Sequence, residues 1–176
     1  PAVYVYNIPD AYAADVEHFS QLADKVKISA DNITAINDFY TLQGVKYTQF
    51  AKSKKWGMDL WDDLISVHYK TPMYVETWIS GSGGAMSSMC YNKTETNPSD
   101  ETKNAIHKIN EEYDIYEVAT VTMPDGETWT NTQDHSKWGI AMDSELGSNQ
   151  QFNSLATCIG DINRMCSQEK RGGGAM

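Results

Sequence analysis

At 176 residues, with 40% hydrophobic and 11% aromatic side chains, the chain is long enough for one domain with a substantial core. A formal charge of -10 at pH 7 excludes tight electrostatic binding of a polyanion at neutral pH, because nucleic-acid affinity rests on Lys and Arg neutralising phosphates. No stretch approaches the roughly 18 consecutive apolar residues of a membrane span, which excludes a spanning helix and makes a membrane partner unexpected.

In chain order, Ala2 to Tyr6 is a short β-like run. The apolar residues Val16, Phe19, Leu22, Ala23 and Val26 then recur at the spacing of an amphipathic helix. Val45 to Phe50 reads as a strand, and Leu60, Trp61, Leu64 and Ile65 mark one face of a helix after Gly57. Met73 to Ile79 reads as a further strand. The Gly/Ser-rich stretch Ser80 to Gly84 and the turn Asn97-Pro98-Ser99-Asp100 bracket a long loop. Ala105, Ile106, Ile109 and Tyr113 define another helix face, and Asp114 to Val121 is rich in strand formers. Pro124-Asp125-Gly126 is a turn, after which short strands and Gly-containing turns are expected. Alternating strands and helices without an internal repeat predict a single α/β domain over residues 1–176.

The chain opens on Pro1 with neither an initiator Met nor a signal-like segment, so a longer precursor is expected. Asn32-Ile33-Thr34 and Asn92-Lys93-Thr94 are acceptor tripeptides for N-glycosylation in a secreted protein. Three cysteines, Cys90, Cys158 and Cys166, leave one unpaired within the chain if the other two bond.

The chemistry concentrates in the final third. Asp134-His135-Ser136-Lys137-Trp138 sets His and Lys two apart, which on a strand sends both side chains to one face. A neutral imidazole can attack phosphorus and a protonated one can give a proton to a leaving oxygen, while the lysine holds a non-bridging oxygen. A solvated surface offers the same pair by chance, so the context matters. Cys158-Ile159-Gly160-Asp161-Ile162-Asn163-Arg164 follows, then Gln168-Glu169-Lys170-Arg171-Gly172-Gly173-Gly174. The glycines allow close backbone approach, so a phosphate can be cradled by backbone N–H groups at Gly172 and Gly173, by the Asn163 amide and by Arg171. The plainer reading is a flexible tail behind an ordinary turn. Lys46, Lys52, Lys54 and Lys55 gather beside Tyr47, Phe50 and Trp56, either to track a phosphate backbone and stack on bases or as a solvated strand-to-helix turn.

The ordered set Asp-His-Ser-Lys-Trp, Cys-Ile-Gly-Asp-Ile-Asn-Arg and Arg-Gly-Gly-Gly closely resembles the deoxyribonuclease II family. The resemblance extends upstream to Tyr4-Val5-Tyr6-Asn7 and to Gln49 through Gly57, and so spans nearly the whole chain. It implies a phospholipase D-like layered fold, a central mixed β-sheet flanked by helices, with this chain as one half of a pseudo-twofold pair. Two His-x-Lys half-sites then meet across that axis. One His forms a covalent phosphohistidine and the other protonates the leaving 5′ oxygen, without metal or cofactor, leaving 3′-phosphate ends at acidic pH. Towards pH 5 the four histidines gain charge and some carboxylates lose it, since ordinary values lie at roughly 6.5 for His and about 4 for Asp and Glu.

Carried over residue by residue, His135 and Lys137 match the second His-x-Lys, with either role open to His135. Asn163 resembles the Asn that completes a half-site, Glu169 is a candidate to orient His135, and Asp134 and Asp161 are supporting carboxylates. The family's first His-x-Lys falls in an N-terminal half that this chain does not contain. His18, His68 and His107 are set aside as surface or packing histidines. A second half-site is therefore expected from an N-terminal segment, a companion chain or another copy. The family also continues past the glycine run to a Cys, which the resemblance pairs with Cys90, leaving Cys158 bonded to Cys166 or free. Gly139 falls where some relatives carry a partner for Cys158.

The expectation is an acid, metal-independent endodeoxyribonuclease, lysosomal or secreted, acting on DNA. The alternative is a catalytically inactive secreted DNA-binding or toxin-like protein on the same scaffold. A phosphodiester-lipid substrate is a third reading, disfavoured by the match to the nuclease branch.

Overall fold

The computed structural model describes residues 33–79, 113–142 and 154–176. The expected strand at 2–6, the helices built on Val16 to Val26 and on Ala105 to Ile109, the loop from Ser80, and both Asn32 and Asn92 lie outside these residues.

Strands β1 (Thr34–Tyr40) and β2 (Lys46–Lys52) form an antiparallel hairpin. Its turn places Gly44 at φ 82°, a left-handed conformation that suits a residue without Cβ, and the Thr41 hydroxyl accepts the Val45 N–H at 3.1 Å. Helix α1 joins a wide π-helical turn, Trp61–Ser66, to a closing α-helical turn, Val67–Tyr69. The remaining strands are β3 (Met73–Thr77), β4 (Ile115–Glu117), β5 (Thr120–Thr122), β6 (Thr128–Thr130), β7 (Lys137–Met142), β8 (Ser154–Ile159) and β9 (Gly173–Ala175).

These strands make a four-stranded mixed sheet in the order β4-β3-β7-β8, a three-stranded sheet β1-β2-β9, and the ribbon β5-β6. Only the β3-β4 pair is parallel; the other strand pairs among the described residues are antiparallel. The two larger sheets are stitched where β8 ends. Ile159 and Met176 exchange backbone hydrogen bonds of 2.8 and 2.9 Å, and the Asp161 N–H reaches the Gly174 carbonyl at 3.1 Å. The chain is thus mixed α/β with several sheets and little helix among the described residues.

The strands expected at Val45 and Met73, and the helix carrying Leu60, Trp61, Leu64 and Ile65, are all present. The run from Asp114 to Val121 divides into β4 and β5: the Val118 N–H makes the last bond to β3, at the Val75 carbonyl, and from Ala119, which accepts from Asn131, the chain pairs with the β6 side instead. β1 has no counterpart among the expected elements. All of its residues after Thr34 are exposed, so no face is buried and the alternation that betrays a strand is missing.

The core gathers Phe50, Met58, Leu60, Ile65, Met73 and Val75 around Trp61, which is 0% exposed. Its indole packs closely against Gly139 of β7 and Gly160, just past the end of β8. A Cβ at Gly139 would come within 2.8 Å of the Trp61 ring, and one at Gly160 would also come within 2.8 Å. The indole N–H donates to the Ile162 carbonyl at 3.1 Å, which satisfies the one polar group this large side chain brings inside. Gly139 sits directly opposite Cys158 in the β7-β8 register.

The fit predicts that Gly139→Ala forces the indole or strand β7 to shift. The expected loss is about 1–3 kcal/mol of unfolding free energy, the usual range for overpacking a dense core, and urea denaturation measures it directly.

Candidate active site

His135 and Lys137 lie at the start of β7, lining an open cleft of about 660 Å³ with Ser136, Trp138, Thr157, Ile159, Gly160 and Asp161. β7 begins only at Lys137, so the pleat does not aim His135 as the sequence pattern suggests. Instead the exposed imidazole stacks on the Trp78 indole, with ring centroids 4.3 Å apart and planes 26° from parallel. Trp78 is itself tethered, its indole N–H donating to the Thr132 carbonyl at 3.2 Å. The Lys137 ammonium donates to the His135 carbonyl, tying the two residues across the turn.

That turn has a polar anchor. Asp134 accepts the Ser136 backbone N–H at 2.8 Å, the Ser136 hydroxyl at 2.8 Å and the Trp129 indole N–H at 3.0 Å. The Ser136 backbone N–H and hydroxyl, with Trp129, hold the Asp134 carboxyl below the ordinary carboxylate range. The Ser136 hydroxyl also lies 2.8 Å from the carboxyl of Glu76, a residue of β3 that is 1% exposed. Trp78, Trp129, Ser136 and Glu76 are not among the expected site residues. Ser136 sits between the two expected ones, and its hydroxyl in an otherwise strand-like run is the signal that could have found it.

The loop after β8 is fixed from inside. The Arg164 backbone N–H donates to the Thr77 hydroxyl at 3.0 Å, while its buried guanidinium bonds Asp59 at 2.8 Å and Glu117 at 3.0 Å, with Asp62 at 3.8 Å. Burial works against this charge, yet the carboxylates outweigh it and hold the guanidinium firmly protonated. Asn163 is held between the bonded Ile162 carbonyl and Arg164. Its Oδ1 is buried without a hydrogen-bond partner, and it does not line the cleft around His135.

Other expected residues are placed differently. Lys52 is 1% exposed, and its ammonium donates to the carbonyls of Met58 at 2.8 Å, Glu169 at 2.7 Å and Gln168 at 3.4 Å. Three acceptors use its three N–H bonds, so it ties β2 to the C-terminal segment and has none left for a phosphate. Phe50 and Trp56 are buried and cannot stack on bases, Tyr47 stacks on Phe39, and Lys46 pairs with Asp38 at 2.9 Å. The glycine run is neither a loose tail nor an open anion nest. Gly173 and Gly174 belong to β9, where a Cβ at Gly173 would meet the Asp161 carboxylate at 2.4 Å and one at Gly174 the Phe50 carbonyl at 2.1 Å. Asp161 lines the cleft and accepts the Gly174 N–H at 2.7 Å. Glu169 meets Lys52 through its backbone carbonyl. Lys54, Lys55 and Arg171 are exposed, and Gly172 backs onto the Lys54 backbone, which brings these cations to one edge.

His68 is also followed by a lysine two positions later, Lys70, so spacing alone does not set it aside. In the structure His68 lies in the last turn of α1, edge-on to Phe50 and Tyr69, and Lys70 follows in a left-handed conformation at φ 54°. Cys158 is a free buried thiol, pushed up to about 11 by that burial, so the small Cys158–Cys166 loop does not form. Cys166 is disulfide-bonded, to a partner outside the described residues. Among the described residues no group of three His, Cys, Asp or Glu side chains is arranged to hold a metal ion, and no helix is long and apolar enough to cross a membrane.

With this geometry in view, the chain belongs to the deoxyribonuclease II family, whose family model matches residues 1–176. Among individual proteins, it is 36% identical to a putative deoxyribonuclease-2 of Burkholderia thailandensis over 88% of this chain and 37% of that protein. It is 33% identical to cell-death-related nuclease 7 of Caenorhabditis elegans over 98% of this chain and 40% of that protein. It is 26% identical to human deoxyribonuclease-2-beta over 99% of this chain and 41% of that protein. The chain therefore spans about two fifths of the length of the curated relatives it matches.

The buried charges have measurable consequences. Removing Arg164 leaves Asp59 and Glu117 without their counter-ion, so Arg164→Met should cost about 3–5 kcal/mol in urea denaturation, the usual result of breaking one side of a buried ion pair. The carboxyl of Asp63, within α1, is pushed up to about 7, first by burial and then by the charge of Asp59. A raised folded-state value means stability present below its unfolded value of 3.8 and lost as pH rises through about 7. The urea midpoint should fall between pH 5 and pH 8, and Asp63→Asn should flatten that fall.

Proposed function

We propose that this chain forms the second His-x-Lys half of a phospholipase D-like, metal-independent endodeoxyribonuclease that works at acidic pH in a lysosomal or secreted setting. The observation that carries the reading is an exposed imidazole, stacked on Trp78 and bordered by Lys137, at an open cleft in a chain of the deoxyribonuclease II family.

His135 acts in one of two complementary roles. As nucleophile, its ring nitrogen forms a bond to phosphorus while the P–O5′ bond breaks, and the histidine of the other half-site gives its proton to the departing oxygen. Water then cleaves the P–N bond, leaving a 3′-phosphate and a 5′-hydroxyl. As acid, His135 supplies the proton while the other histidine attacks. In both roles Lys137 turns from the His135 carbonyl to a non-bridging phosphate oxygen, where its charge offsets the build-up on phosphorus. The other half-site comes from an N-terminal segment, a companion chain or a second copy.

Lys54, Lys55 and Arg171 form an exposed basic edge suited to flanking phosphates, and Lys52 does not belong with it. Gly172 and Gly173 serve by close packing, Gly173 against Asp161. Asn163, with its buried unpartnered oxygen, and Asp161, on the cleft wall, support the turn, and Glu169 contributes through the segment that Lys52 fastens. Acidic conditions suit the chain physically, because its net charge of -10 shrinks as carboxylates protonate and histidines charge.

The test is plasmid nicking at pH 5 in EDTA by the intact native protein. His135→Ala should reduce nicking to background. Lys137→Ala should lower the rate by about 10²–10³-fold, the usual loss for one electrostatic contact to the transition state. Near wild-type nicking by His135→Ala would refute the proposal, and loss of wild-type nicking in EDTA would refute metal independence.

A further inference from the structure

The Ser136 hydroxyl stands between two carboxyl groups, 2.8 Å from Glu76 Oε2 and 2.8 Å from Asp134 Oδ2. A hydroxyl has one hydrogen and can donate to only one of them. The other contact sets oxygen lone pairs against each other unless that carboxyl brings a hydrogen of its own. Asp134 is the acceptor, because two other donors, the Ser136 backbone N–H and the Trp129 indole N–H, already mark it as a carboxylate and it is partly open to solvent. Glu76 is the opposite case. It is 1% exposed, and its second oxygen, Oε1, is buried with no hydrogen-bond partner. A charged carboxylate there would leave half of its charge unsolvated, which costs far more than a neutral acid in the same place.

We propose that Glu76 is a positioning residue for the His135 half-site: as a neutral carboxylic acid it donates to Ser136, which donates to Asp134, and on ionising it releases the turn that carries His135 and Lys137. The chain of donors runs in one direction, Glu76 Oε2–H to Ser136 Oγ–H to Asp134 carboxylate. It needs one proton on Glu76 and none on Asp134. Ionised Glu76 would compete with Asp134 for the single hydroxyl hydrogen and give Lys137 a rival anion to the substrate phosphate.

The charged surroundings agree. Strand β7 and the turn before it present Asp134 and Lys137 to Glu76, while on the other side of β3 the carboxylate of Glu117, on β4, is engaged by Arg164. Burial foremost pushes the Glu76 carboxyl above its ordinary 4.5, and the charge of Asp134 adds to this, against the Ser136 hydrogen bond and Lys137. That direction favours the neutral acid, in keeping with the single hydroxyl hydrogen and the unpartnered Oε1.

This inference rests on the nuclease reading for its consequence but not for its geometry, so the test has two arms. First, ¹³C NMR of the wild-type glutamate carboxyls is followed against pH, with Glu76→Gln used to assign the resonance. A Glu76 carboxyl still protonated at pH 5 supports the proposal, and one already ionised at that pH overturns it, whether or not the protein cleaves DNA. Second, pH profiles of nicking are compared for wild type, Glu76→Gln and Glu76→Ala. The amide introduced by Glu76→Gln cannot ionise but can still donate to Ser136, so this variant should hold its rate at pH 5 and move the alkaline limb up by at least about one pH unit. That is the span over which a single titration changes occupancy tenfold. Glu76→Ala should lose rate at both ends. An alkaline limb of Glu76→Gln that coincides with wild type would overturn the proposal. Absence of nicking by wild type would instead count against the nuclease reading and leave the decision to the NMR arm.

Discussion

The contact on which the rest depends is the Trp61 indole pressed against Gly139 and Gly160. A buried tryptophan contributes on the order of 3–5 kcal/mol when compared with alanine, and here its position also sets geometry. Its ring fixes the depth at which β7 and the end of β8 can lie, because neither glycine position has room for a Cβ. Its N–H holds the Ile162 carbonyl, so the loop that leads to Asn163 and Arg164 is registered against the same side chain. The cleft lined by His135, Lys137 and Asp161 is thus shaped by a residue far away in sequence that is not among those lining it.

Above that floor, the turn that carries His135 and Lys137 is held on three levels. Arg164 anchors the loop through buried carboxylates, the donors converging on Asp134 hold the turn, and Trp78 holds the imidazole ring. These supports come from β3, from the β6-β7 connection and from the loop after β8. Catalytic side chains with many rotamers need such external constraint, because orientation supplies much of the advantage of a bound reactant. Burial raises the carboxyls of both Asp63 and Glu76, which disfavours their charged forms in the folded chain.

Much of this was legible in the sequence. The ordered motifs at Asp134 and Cys158 pointed to the family, and helical spacing placed Leu60, Trp61, Leu64 and Ile65 on one face. Other features were not legible, each for a physical reason. β1 has no buried face and therefore no alternation. The burial of Lys52 depends on carbonyls from Met58 and from Gln168 and Glu169, which only the fold brings together. The glycines at 173 and 174 resemble a phosphate cradle in sequence, but they are required because Asp161 and Phe50 crowd them. Glu76 lies in a strand that reads as ordinary β-sheet, and nothing local reveals that its carboxyl meets Ser136 from 60 positions away.

The central claim is that a scissile phosphate sits between His135 and a second histidine. A crystal structure of the native protein with an uncleavable phosphorothioate oligonucleotide at pH 5 tests it most directly. The account predicts phosphorus within attacking or protonating reach of the His135 ring, Lys137 on a non-bridging oxygen, and a histidine of another half-site on the opposite side. An oligonucleotide bound elsewhere, with the cleft at His135 empty, would contradict it.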